Sequence, residues 1–232
     1  MRRHLPAIVA AFALGLVTTA CAVDDRSFFI AENHGFTNVN GACEANTSST
    51  RYQGVFDIAP NRAGGQFGYL MFPAVTNSLR PTSGDKEPER NGLNIKFLEV
   101  DLDTGSLNRD ISFSVPAAFR LEPGATAAVS SLRAIPSEVL QGVSLPAGGP
   151  HYIIVTLRAV ADRSSETVES AEFEFYVQLC DGCLVGKVLD TCPASTASST
   201  VYTNACGIPQ DTKVTCCRDP AFGVRCLEGS SS

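Results

Sequence analysis

The 232-residue chain contains no tryptophan, two methionines, three histidines and five tyrosines. Stacking surfaces are therefore scarce, which argues against a sugar-binding platform. No G-x-S-x-G, H-E-x-x-H or glycine-rich phosphate loop occurs, so hydrolase, zinc-protease and nucleotide-dependent chemistry have no motif behind them. No second long apolar run follows residue 22, so no transmembrane helix is expected there. Basic charge is also short, with 18 Lys and Arg against 24 Asp and Glu and a net charge of −6. Loss of Arg2 and Arg3 with an N-terminal signal would take this to −8. Such a field repels phosphate backbones and anionic lipid, so nucleic acid is not an expected partner. Helical periodicity is missing too: the one candidate, "SEVLQGVSL", is short, follows Pro136 and is interrupted by Gly142.

What is present begins with an address. "MRRHLPAIVAAFALGLVTTAC" has two arginines, an apolar run from Ala7 to Val17 and small residues before Cys21. The run is about half the roughly 20 residues a membrane span needs, so residues 1–20 read as an export signal. Two endings fit. Thr18-Thr19-Ala20-Cys21 resembles a bacterial lipobox with Thr18 in place of the usual leucine, and Ala20-Cys21-Ala22 fits ordinary cleavage after Ala22. The first would leave Cys21 lipidated and the chain anchored in the cell envelope, with the outer membrane as the expected site. The second would leave a periplasmic or secreted soluble protein.

Of nine cysteines, Cys21 is either lipidated or removed. Cys43, Cys180, Cys183, Cys192, Cys206, Cys216, Cys217 and Cys226 remain. An even set in an exported chain predicts four disulfides, with connectivity left open.

Composition divides the mature chain into three zones. Residues 21–53 are polar and read as a tether leading into the first domain, with "SFFIAEN" as a short strand. Residues 54–179 consist of short apolar runs punctuated by Gly, Pro, Asn and Asp, the spacing of antiparallel strands. "HYIIVTLRAVAD" and "AEFEFYVQLC" alternate most clearly. In the latter, Phe173, Phe175, Val177 and Leu179 face one way and Glu172, Glu174, Tyr176 and Gln178 the other. In "LNIKFLEVDLDTG" the apolar set slips by one residue at Leu98-Glu99, as at a β-bulge. The expected fold is all-β, an immunoglobulin-like or Greek-key sandwich. Residues 180–232 hold seven cysteines and little apolar material, and read as a small disulfide-stapled module.

Five landmarks in order, "CAVDDRSFFIAEN", "GVFDIAP", "GYLMFPAVTNSL", "IKFLEVDLD" and "FEFYVQLCDGCLV", resemble envelope lipoproteins of myxobacteria and related deltaproteobacteria. The resemblance spans residues 21–183. It implies lipidation of Cys21 and carries no activity with it.

The C-x-x-C of Cys180 and Cys183 admits three readings. A thioredoxin-like redox pair requires a helix at the motif, after a parallel strand. Zinc requires four ligands, which Cys192 and Cys206 could complete, although oxidation competes in an exported chain. A structural staple is what the preceding antiparallel-type strand favours. Cys43 has no local partner, so a C-terminal cysteine should reach back to it, and adjacent Cys216 and Cys217 should take different partners. "DLDTG" lacks the calcium-loop glutamate, with Ser112 in its place, and reads as a turn. His34 and His151, beside Gly35 and Pro150, read as exposed turn residues. No catalytic residue, metal or cofactor is expected. The functional expectation is an envelope lipoprotein with a structural or protein-recognition role, against an exported thiol oxidoreductase or zinc protein using Cys180 and Cys183.

Overall fold

A computed structural model describes residues 27–39, 42–82, 90–147, 149–185, 188–192 and 207–228. In chain order the strands are β1 Phe28–Val39, β2 Ala42–Arg51, β3 Gln53–Asp57, β4 Tyr69–Met71, β5 Pro73–Asn77, β6 Leu93–Asp103, β7 Ile111–Leu121 and β8 Thr126–Ala128. They continue with β9 Leu132–Ile135, β10 His151–Arg163, β11 Glu166–Glu169, β12 Phe173–Cys180, β13 Val188–Leu189, β14 Val214–Asp219 and β15 Gly223–Glu228. Helix among the described residues is limited to single turns: α1 Ala59–Arg62, α2 Ser137–Leu140 and a 3-10 turn at Gly105–Leu107. None is long and apolar enough to cross a membrane.

Two sheets hold most of the strand residues among those described, one in the order β2-β1-β5-β8 and the other β3-β12-β10-β6-β7, with β11 paired to β10. Alternation drives their packing. Every second residue of β10 (Ile153, Val155, Leu157) and β12 (Phe175, Val177, Leu179) is buried, while their neighbours face outward. These meet Phe28, Ile30 and Val75 of the first sheet, and Tyr69, Met71, Leu132 and Ile135 of the short β4-β9 ladder join the same core. Full burial of each large apolar side chain contributes about 1.5–3 kcal/mol. The expected all-β sandwich is the fold observed.

Three expectations differ in detail. Residues 28–51, read as part of a tether, form the two longest strands of the first sheet, and Phe28 and Ile30 enter the core. The bulge in β6 falls earlier than expected. Ile95 points inward, the register shifts between Ile95 and Phe97, and Leu98 at 0 % exposure resumes the inward set while Phe97 is only half-buried. "GYLMFPAV" is two strands in different sheets, divided at Phe72. The Asn33 side-chain oxygen accepts from Phe72 N at 2.7 Å, and the Phe72 carbonyl accepts from His34 N at 3.0 Å, so both backbone groups are satisfied where the chain changes sheets.

The C-terminal residues build a separate sheet, β13-β14-β15, around Val185, Val214, Cys216, Val224 and Cys226. Ala63 and Phe67, which follow α1, pack against this second cluster. The charged loop expected at 83–92 lies, for residues 83–89, outside the described residues.

Candidate functional site

β3 runs parallel to β12 and ends level with it, Asp57 opposite Cys180. Past Cys180 the chain turns through Gly182, at φ +80°, a backbone conformation glycine adopts without the Cβ clash of other residues. Cys183 returns to form a disulfide with Cys180. Asp57 is fully buried beneath this turn. Its Oδ1 accepts from Ala59 N at 2.9 Å and Gly182 N at 2.8 Å, and its Oδ2 from Leu184 N at 2.8 Å and Val185 N at 2.7 Å. Ile58 N donates to the Cys180 carbonyl at 2.8 Å. Arg62 pairs with Asp181 on the exposed side.

This geometry bears on each of the chemistries a C-x-x-C permits. Redox-active pairs draw on a helix N-terminus or a nearby cation to stabilise the attacking thiolate. Residues 181–185 form no helix, and the Asp57 carboxylate, of the wrong sign to stabilise a thiolate, lies within 4.8 Å of both sulfurs. Asp57, Cys180 and Cys183 do place ligand atoms within 4.8 Å of one another, the spacing of a metal site. However, four N–H groups occupy the four lone-pair directions of the carboxylate, and the sulfurs are bonded to each other. One carboxylate organises the loop and the disulfide closes it.

A second polar group pins residues 209–211 to the free edge of β3. Asp57 N donates to the Pro209 carbonyl and Asp211 N to the Val55 carbonyl, each at 2.9 Å. The Gln210 amide imitates a strand toward β4, accepting from Leu70 N at 2.8 Å and donating to Leu70 O at 2.9 Å. Asp211 accepts from Val55 N at 2.8 Å and from the buried Tyr69 hydroxyl at 3.0 Å. A Cβ on Gly54 would fall on that hydroxyl, so glycine is what lets Tyr69 reach across β3. Burial holds the Asp211 carboxyl above its ordinary range, against the opposing effect of its hydrogen bonds and of Arg51. Burial, reinforced by the Asp211 charge, raises the Tyr69 phenol well above its usual value, so it remains a donor.

The remaining predicted residues are distributed around this frame. Cys192 bonds Cys217 and Cys216 bonds Cys226, giving the adjacent pair different partners as expected. Cys43, on β2, is also disulfide-bonded. Cys21 and Cys206 lie outside the described residues. His151 is half-buried, its Nε2 2.9 Å from the Pro146 carbonyl. His34 is a correction: at 6 % exposure it lies within β1 opposite Thr50, because Gly35 marks a register shift in a strand rather than a turn. A Cβ on Gly35 would stand 2.9 Å from Ser49 Oγ, and that close approach is the reason for glycine there. Asp110, after the "DLDTG" turn, accepts from Thr104 N and Oγ1 at 2.8 Å each, so the turn is closed by its own side chains.

Sequence reading missed Asp57, Tyr69, Gln210 and Asp211. A cue existed only for Asp57, a lone carboxylate inside the apolar run "GVFDIAP". Comparison with family models, curated proteins and solved structures returned no match for this chain.

Proposed function

We propose that this is an exported protein of the cell envelope, lipid-anchored through Cys21, whose sandwich serves a structural or protein-recognition role without catalysis. The observation that carries the reading is the state of the cysteines: each of the seven among the described residues is in a disulfide. Such pairing persists in oxidising compartments outside the cytoplasm. The export-type N-terminus supports the same address, and the lipobox-like Thr18-Thr19-Ala20-Cys21 supports the anchor. Stable anchorage requires more than one acyl chain, which lipidation of an N-terminal cysteine supplies. The non-catalytic reading is supported by the absence of a helix or a paired cation stabilising a thiolate at Cys180 and Cys183 among the described residues, and by the Asp57 carboxylate being taken up by backbone N–H groups.

Radiolabelled palmitate tests the anchor. The wild-type chain is expected to incorporate label and to sediment with membranes, and Cys21→Ser to lose both properties. An unlabelled wild-type protein whose mature N-terminus is Val23 would end the lipoprotein reading.

A further inference from the structure

The outward face of β12, β10, β6 and β7 is graded from aromatic to acidic, and we infer that it docks a basic, partly apolar peptide segment of another protein. The inference rests on the recognition role proposed above and gives it a place and a partner chemistry. The strand register fixes the layout. Ile154 lies opposite Tyr176 on one side and Asp103 on the other, with Tyr152 one outward position further along β10. Tyr152 and Tyr176 are 44 % and 43 % exposed, two of the few large hydrophobics exposed among the described residues. The next row is Glu174, Thr156, Asp101 and Ser112, and the one after it holds Arg158, Glu99 and Ser114.

Charge on this face is unbalanced. Arg158 is its one central cation, already engaged by Glu172 at 2.5 Å, Glu99 at 3.2 Å and Glu169 at 3.7 Å. Asp101, Asp103 and Glu174 have no ion pair among the described residues. Between β6 and β7 a shallow open groove is lined by Glu99, Asp101, Ser112, Phe113 and Ser114. Two carboxylates and two hydroxyls suit a lysine or arginine head. The exposed tyrosines suit a second cation or an apolar side chain.

Size selects the kind of partner. Four adjacent strands span about 14 Å, and the rows from Tyr152 to Arg158 about 20 Å. The product, about 300 Å², is well below the roughly 800 Å² per side of a standard protein interface. It matches a short segment laid across the strands. A small cation would fill only the groove and leave the tyrosines unused.

The test uses the full oxidised chain, isotopically labelled, titrated with a hexapeptide alternating lysine and leucine and, as control, one alternating glutamate and leucine. Backbone amide shifts are expected to move at residues 99–103, 112–114, 152–158 and 174–178 with the basic peptide alone. Neutralising Asp101, Asp103 and Glu174 to their amides should weaken binding about tenfold or more. Tyr152→Ala with Tyr176→Ala, which leaves every charge in place, should weaken it about fivefold. Shifts scattered over other acidic loops would overturn the assignment, as would binding indifferent to the tyrosine pair, the behaviour of plain polyelectrolyte attraction. Palmitate labelling reads the anchor independently, so a labelled chain that fails to bind sinks this surface alone, and an unlabelled chain that binds sinks the anchor alone.

Discussion

Asp211 shows how a single carboxyl can couple a segment's docking to pH. Its folded-state carboxyl holds a proton to higher pH than an unfolded aspartate does, because burial disfavours the charged form. Between the unfolded value of about 3.9 and the raised folded one, the native state binds more protons than the unfolded state. Stability contributed by Asp211 is therefore full below about pH 4 and is lost as pH rises through the folded value. Asp211→Asn should remove that loss, since an amide oxygen can still accept from Val55 N and Tyr69 and asparagine tolerates the φ of +59° found there. Denaturant midpoints measured from about pH 4 to 7 should show the variant gaining on the wild type as pH rises. Parallel curves would mean that the carboxyl is ionised throughout. None of this was visible in "GIPQDTK", where Asp211 has the composition of an ordinary turn. The Tyr69 contact that makes it special spans 142 positions in sequence.

At the scale of elements, legibility followed burial on one face. β10 and β12 were readable because each has a dry and a wet side, so alternation marks both the strand and its orientation. The boundary between β4 and β5 was not, because Tyr69, Met71, Phe72 and Ala74 are all buried and the run shows no period to break. β1 was read only as far as the short strand "SFFIAEN", and β2 was passed over for the opposite reason. Most of "ACEANTSSTR" faces solvent or is half-buried, so its strand character comes from pairing with β1 rather than from apolar content. The C-x-x-C corner was legible as a staple and illegible in its mechanism, since Asp57 lies far upstream of the loop it organises. Asp57→Asn would set an amide NH2 against loop N–H groups that now donate to a carboxylate. Two or more buried donors would then lack acceptors, at about 1–3 kcal/mol each. Urea unfolding of the oxidised protein should show a loss of about 3 kcal/mol. A loss below about 1 kcal/mol would mean that water replaces the lost contacts.

For the whole molecule, the open question is what joins its two ends. The C-terminal sheet is held to the sandwich by residues 209–211 on β3, by the Gln210 amide on β4 and by the packing of Ala63 and Phe67. All three attachments are on the β3-β4 side, whereas Cys43 lies on β2, the outer strand of the other sheet. Cys180 with Cys183, Cys192 with Cys217 and Cys216 with Cys226 exhaust the C-terminal cysteines except Cys206. Whether Cys21 carries lipid or is removed with the signal, Cys206 is the one partner left for Cys43. That bond would close a loop around the entire sandwich and, by loop entropy, contribute about 5 kcal/mol. Non-reducing peptide mapping of the protein from its native compartment should recover Cys43 linked to Cys206 and no free thiol. A Cys43–Cys21 link would overturn more than the connectivity, because a sulfur held in a disulfide cannot also carry the thioether of a lipid anchor. A Cys43–Cys206 link fits a lipidated and a removed Cys21 alike, so of the two links only Cys43–Cys21 bears on the anchor, and it would decide against it.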